Sequence, residues 1–327
     1  MDPTDAPLPD WFWIAVAFVF GANVGSFLNV VIARVPYGES IVWPPSHCRA
    51  CGKAIRPLRN VPILSWFMLR GRCENCLARF SFRYAFVELV FALVCAFAVA
   101  RHGVALEALF EVCLVGWLLC LSAIDLDHWI LPHELTWSGI AVALGLAFGL
   151  GGQELLLHHL FGAAVGYTSL LLFAFIAERV AGREAMGGGD PWLFGMLGAF
   201  LGASALLPII LLASVQGSLI GIAMIAARRK REAREAEAAA AQPPPPRDTG
   251  SASGDVPPPG SDAIDAPGTP AGEASTPDAV PPASGPIADE EDWVPPPTGV
   301  PFGPFLALGG LEVHYFERLR DVFALPF

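Results

Sequence analysis

Trp11-Phe-Trp-Ile-Ala-Val-Ala-Phe-Val-Phe-Gly-Ala-Asn-Val-Gly-Ser-Phe-Leu-Asn-Val-Val-Ile-Ala33 contains no charged residue. As an α-helix it is long enough to cross the roughly 30 Å hydrocarbon core of a bilayer, which takes about 20 mostly apolar residues. Working outward from it, similar apolar runs follow at residues 84–100, 104–124, 135–150, 155–177 and 192–227. The last is long enough for two spans that turn near Pro208. A hydrophobic content of 54% and a mean hydropathy of +0.51 over 327 residues exclude an ordinary soluble domain. The expected fold is all-α: a polytopic transmembrane helical bundle of about seven spans, with a small loop domain after the first. That first run is not read as a cleaved signal peptide. It exceeds the roughly 7–15-residue apolar core of one, its leading segment is acidic, and no small-residue cleavage site follows.

Orientation follows from the basic residues. Nine of the 20 Lys and Arg lie between Arg34 and Arg83, against only Glu39 and Glu74 as acids. A second cluster, Arg228-Arg229-Lys230-Arg231, follows the seventh expected span. Basic residues mark cytoplasmic loops. Seven alternating spans place both segments inside, with the N-terminus outside and residues 125–134 and 178–191 also inside. The net charge of −11 is local in origin, because residues 236–300 hold eleven acids and one base. Runs of Pro, Ala, Gly and Ser there leave too little apolar surface to offset chain ordering. The domain division is therefore an N-terminal segment with the first span (1–35), a cytoplasmic cysteine loop (36–83), a transmembrane core (84–227), a disordered Pro/Ala/acidic linker (228–300) and a membrane-associated C-terminal segment (301–327).

Cys48-Arg-Ala-Cys51 and Cys73-Glu-Asn-Cys76 form two CxxC pairs within the first loop. Each pair puts two thiolates on one tight turn, and two such turns close a tetrahedral zinc site. Four cysteines fill the coordination sphere, so the expected role of the zinc is structural. The competing reading is two redox pairs, but no thioredoxin-like βαβ pattern surrounds them. Cys95, Cys113 and Cys120 lie in spans and read as small buried residues.

Asp125-Leu-Asp127-His128-Trp-Ile-Leu-Pro132 ends the third span, and Met186-Gly187-Gly188-Gly189-Asp190 precedes the sixth at the same face. Acidic residues at the edge of hydrocarbon are functional candidates. Two carboxylates that approach each other do not both ionise readily, so one serves as acid while the other activates water. The three glycines would let backbone approach an extended substrate. The same residues also fit plain structure: Asp190-Pro191 as a helix start, and Asp125, Asp127 and His128 as the exit of a helix from the bilayer.

The ordered set of motifs resembles the prepilin peptidases, the bacterial branch of the GxGD intramembrane aspartyl proteases. It comprises Gly25-Ser-Phe-Leu-Asn through Arg34-Val-Pro, Arg79-Phe-Ser-Phe-Arg83 through Glu88-Leu, Asp125 through Pro132, Gly187 to Asp190 with Leu197-Gly-Ala-Phe-Leu-Gly202, and Pro301-Phe-Gly-Pro-Phe-Leu-Ala307. The resemblance implies catalysis by Asp125 and Asp190, with Asp125 preferred to Asp127 because the family aspartate stands seven residues before the proline. It implies cleavage after Gly of the leader of type IV prepilins or type II secretion pseudopilins, at the cytoplasmic face of the inner membrane. N-methylation of the new N-terminus with S-adenosylmethionine is implied as a second activity. No glycine fingerprint locates the methyl donor; the first loop is the expected region, with Glu39 and Lys53 as hypotheses whose ordinary reading is solvated charge.

Three departures stand out. Pro191-Trp192 replaces a Val-Lys that the family often carries, the linker is unusually long, and Glu312, His314, Glu317, Arg318 and Arg320 interrupt the last apolar stretch. A re-entrant or interfacial tail is expected there. His158 and His159 read as ordinary residues near the outer end of the fifth span. The reading from another class is a non-enzymatic scaffold or transporter subunit with a zinc-ribbon loop, in which both aspartates are caps. The expected partners are prepilin-type substrates and lipid, with no nucleic acid, since orientation already accounts for the arginines.

Overall fold

The computed structural model describes residues 8–48, 50–56, 61–182, 186–241 and 301–323. Among the described residues there is no strand, only two isolated bridges, His47 with Ala54 and Arg72 with Arg79. Eight α-helices occur among them: α1 (Asp10–Arg34), α2 (Leu64–Leu69), α3 (Arg83–His102), α4 (Leu106–His128), α5 (His133–Ala181), α6 (Asp190–Leu201), α7 (Ala203–Ala241) and α8 (Gly303–Phe323). Residues 1–224 with 285–327 form one compact unit, and residues 225–284 a second, described only as the end of α7. Helices α1, α3, α4, α5 and α7 are long and apolar enough to cross a membrane. Phe20, Phe161, Leu172 and Leu219 stand exposed on them. In water that area would be unfavourable by about 25 cal/mol per Å², whereas lipid tails accept it. The chain is a membrane protein.

At 1.5 Å per residue α5 would extend about 74 Å, more than twice the hydrocarbon thickness. It breaks at Gly151 and Gly152, where the latter takes φ 63° and ψ −148°. This is the division expected between the runs at 135–150 and 155–177. The second half of α5 packs on α6 through glycines: a Cβ on Gly166 would stand 2.5 Å from the Phe194 carbonyl oxygen, and one on Gly195 3.2 Å from Tyr167 Cβ. Small residues let the two backbones touch, the usual means of joining helices where lipid supplies no hydrophobic drive.

The region expected as two spans turning near Pro208 is organised differently. Helix α6 has 12 residues, about 18 Å, too short to cross alone. Leu193, Met196, Leu197 and Ala199 on it are fully buried. The chain reverses at Gly202, with φ 79° and ψ 170°, and Pro208 lies inside α7. A proline removes one helical N–H and kinks a helix, whereas the left-handed φ at Gly202 is what a reversal needs.

Helix α8 joins the core instead of resting on a surface: Phe305, Leu306, Ala307 and Val313 are buried with Leu114 and Leu118 of α4, Met196 and Leu197 of α6, and Ile209 and Ala213 of α7. This sets aside the interfacial option for the tail and leaves a helix that enters the bundle beside Asp125. A second cluster joins Val31 and Ile32 of α1 and Val87 of α3 to Cys120 and Ile124 of α4.

Where a disordered linker is expected from residue 228, the described part is helical. Helix α7 continues to Ala241, and Arg228–Glu232 at 2.6 Å and Arg231–Glu235 at 2.7 Å form i,i+4 pairs along it. The remainder of that expectation, residues 242–300, lies outside the described residues.

Candidate active site

Asp125 sits in the last turn of α4. The helix ends when Trp129 takes φ 58° and its N–H bonds the Asp125 carbonyl at 2.9 Å. The Asp125 side chain points inward and the residue is 5% exposed. Asp190 opens α6 at 7% exposure, followed by Pro191 at a position that needs no donor. Asp190 lies within electrostatic reach of Asp125. Two buried acids from different helices, neither paired with a basic side chain among the described residues, are unusual in a membrane core and mark a candidate site.

The surrounding backbone explains how they meet. A Cβ on Gly189 would stand 2.5 Å from Leu131 Cβ, so the glycine loop presses on the segment that follows α4. The Gly187 backbone interacts with the Asp190 carboxylate, whereas Gly188 faces open space. From the other side, the first residue of α8 closes over Asp125: a Cβ on Gly303 would collide with Asp125 Oδ2 and stand 3.4 Å from Leu131 Cδ1. Asp125 Oδ2 is buried, and the Gly303 backbone approaches its carboxylate.

Asp127, two residues on, faces elsewhere. It forms a paired contact with Arg83, whose Nη1 lies 2.7 Å from Oδ1, and it is more than a third exposed. His128 packs its ring edge-on against Tyr37 at 5.3 Å between centroids. Trp192 stacks in an aromatic group, 4.3 Å from Tyr167 and 5.5 Å from Trp137.

The cysteine loop consists of two similar turns. Cys48 N–H donates to the Lys53 carbonyl and Gly52 N–H to the Cys48 carbonyl; Cys73 N–H donates to Ala78 and Leu77 N–H to Cys73. All four sulfur atoms lie within 4.8 Å of one another, and Cys48 and Cys76 are 3.8 Å apart. Sulfurs about 2.3 Å from a tetrahedral ion stand about 3.8 Å from each other. Amide hydrogen bonds from Cys76 and Asn75 hold the Cys73 thiol down to about 6. For Cys76 the bond from Ala78 acts the same way, but burial and its three sulfur neighbours outweigh it and push the thiol up to about 11. Four thiolates this close require a cation, and the cluster is able to hold one. Arg34 ties the loop to the end of α1 by donating to the Ser40 and Pro44 carbonyls at 2.8 and 2.7 Å. Glu88 of α3 accepts from Ile63 N–H at 2.6 Å. Glu39 and Lys53 are exposed.

Residues 19–102 match the bacterial peptidase A24 N-terminal domain and residues 112–222 the type IV leader peptidase family. A prepilin leader peptidase/N-methyltransferase of Myxococcus xanthus is 40% identical over 325 residues, 95% of this chain and 93% of the relative. The chain belongs to the type IV leader peptidase family.

Proteins of the same description from Pseudomonas putida (36% identity, 66% of this chain and 83% of the relative) and Aeromonas hydrophila (34% identity, 68% and 85%) are also similar. No solved structure gives a significant match. The first family region covers α1 from residue 19 on, the cysteine loop and α3; the second holds Asp125, Asp190 and the glycine loop. Helix α8 lies beyond both, although it supplies the wall over Asp125. Gly303 and Leu131 were not singled out by sequence reasoning as site residues. The Pro301 to Ala307 motif was the available signal for the first, and the Asp125 to Pro132 motif for the second.

Proposed function

We propose that the protein cleaves the leader of type IV prepilins or type II secretion pseudopilins after Gly, using Asp125 and Asp190, and then methylates the new N-terminus. The observation that supports the reading is two buried carboxylates, at the end of α4 and the start of α6, within electrostatic reach of each other. In the proposed reaction one carboxylate takes a proton from water as it attacks the scissile carbonyl. The other donates its proton to the carbonyl oxygen; the first then delivers the proton it took from water to the leaving amine, while a hydroxyl of the tetrahedral intermediate returns its proton to the second as the C–N bond breaks. The exposed Gly187 and Gly188 offer backbone to an extended peptide without side-chain obstruction. Basic residues in the first loop and after α7 favour placing this end of the bundle at the cytoplasmic face of the inner membrane.

The methyl donor would be S-adenosylmethionine, with the first loop as its expected region. The test is incubation of a prepilin peptide with the full-length protein in membranes, with and without that donor, followed by mass analysis of the product. Cleavage after Gly, with one added methyl only when the donor is present, is the expected result. An intact peptide would favour the scaffold reading.

Cys48, Cys51, Cys73 and Cys76 would hold one structural zinc. Cys48→Ser is expected to lower bound zinc and the thermal stability of the loop together, because a site that folds around its metal loses both. Metal analysis and protease susceptibility of residues 36–83 measure this, and undiminished stability in metal-free protein would refute the site.

Residues 228–300 are proposed as a tether, with helix at its start. Deleting residues 240–292 is expected to leave cleavage within about twofold of the full chain, since closure entropy changes slowly with loop length. A severe loss with normal membrane insertion would instead assign the segment to substrate presentation.

A further inference from the structure

Glu111 lies in α4 and is fully buried within a membrane-spanning helix. Its carboxylate accepts from Tyr315 OH at 2.8 Å, meets His102 Nε2 at 3.1 Å and lies 4.0 Å from His314 Nε2. Tyr315 and His314 belong to α8. The other end of the same helix pair is the contact between Gly303 and Asp125. From Glu111 to Asp125 α4 rises about 21 Å, and from Gly303 to Tyr315 α8 rises about 18 Å. The two helices are therefore pinned to each other at both ends of antiparallel segments of nearly equal length.

We propose that Glu111 is a positioning residue for the peptidase site: by fixing the register of α8 along α4, it seats Gly303 over Asp125. The inference rests on the dyad reading above. Most of the buried face of α8 is apolar or small, with Phe305, Leu306, Ala307, Gly309, Gly310 and Val313. Such a face packs against neighbours without strong preference for one height over another a turn away. A buried carboxylate is directional, and leaving it without its donors in hydrocarbon is costly. Sliding α8 by one turn, about 5.4 Å, would strip Glu111 of Tyr315. Single buried polar contacts of this kind are the best-attested devices for setting helix register. Gln216 of α7 adds a lateral hold by donating to Glu312 at 2.5 Å.

The test uses the full-length protein in lipid nanodiscs, with kcat and KM for prepilin cleavage measured per folded molecule. Glu111→Ala should lower kcat on the order of 100-fold, as expected for roughly 1 Å of misplacement at the reacting groups, with KM little changed. Glu111→Gln, whose amide oxygen still accepts from Tyr315, should restore most of it. Tyr315→Phe should lower kcat about fivefold, a partial misplacement, and carries the test if Glu111→Ala does not accumulate. Reduced melting temperature with unchanged kcat in both Glu111→Ala and Tyr315→Phe would mean that the contact only holds the fold, and would overturn the proposal. So would a Glu111→Gln variant as inactive as Glu111→Ala, which would assign Glu111 to the chemistry itself. Asp125→Asn in the same assay separates the two readings, because cleavage surviving that change would sink the dyad whatever Glu111 does.

Discussion

Asp125→Asn and Asp190→Asn are each expected to reduce prepilin cleavage to background, and Asp127→Asn to keep it within about threefold of the parent. The amide has nearly the shape of the carboxylate but neither accepts the proton from water nor returns one, so the loss exceeds the roughly 10²–10⁴-fold usual for a single general acid or base. Membrane insertion and protein level are expected to stay near normal, because among the described residues no basic partner holds either side chain. Asp127 differs because its contact with Arg83 is more than a third exposed on both sides, and such surface pairs contribute about 0–1 kcal/mol. The measurement is product formed from a prepilin peptide at matched enzyme. An essential Asp127 with a dispensable Asp125 would move the assignment by two residues, and full processing by Asp190→Asn would end the aspartyl mechanism.

Gly303→Ala is expected to lower kcat on the order of 100-fold without unfolding the bundle. The added methyl has nowhere to go: Asp125 Oδ2 and Leu131 Cδ1 occupy its place. Either α8 or Asp125 must shift, and overpacking of this kind costs about 1–3 kcal/mol in stability, whereas roughly 1 Å at a reacting group costs about two decades in rate. Gly221→Ala is the control, since a Cβ there meets nothing within 4 Å. Equal activities of the two variants would remove α8 from the account of the site.

The spans were legible because a lipid-facing helix must be apolar along its length, and that signal survives in α1, α3, α4 and both halves of α5. Helix α6 was not, because a short helix buried by protein has the same composition as one surrounded by lipid. Pro208 drew attention as a breaker, yet the chain turns at Gly202, a residue indistinguishable in sequence from its neighbours in a glycine-rich stretch. The polar residues of α8 argued against burial only while their partners were unknown; Glu111 and Gln216 stand far away in the chain. At the site, Asp125 and Asp190 are carried by motifs and could be named. The meeting of Gly189 with Leu131, and of Gly303 with Asp125, depends on where three helix ends converge, which no local spacing encodes.

Helix α8 also leaves the ribosome after every other element of the site. Asp125, Asp190 and the glycine loop are synthesised and inserted well before it, because residues 242–300 must be translated in between. Throughout that interval the nascent chain carries both acids without the helix that closes over Asp125 and brings Tyr315 to Glu111. A chain interrupted after α7 thus holds the two aspartates in an unfinished site.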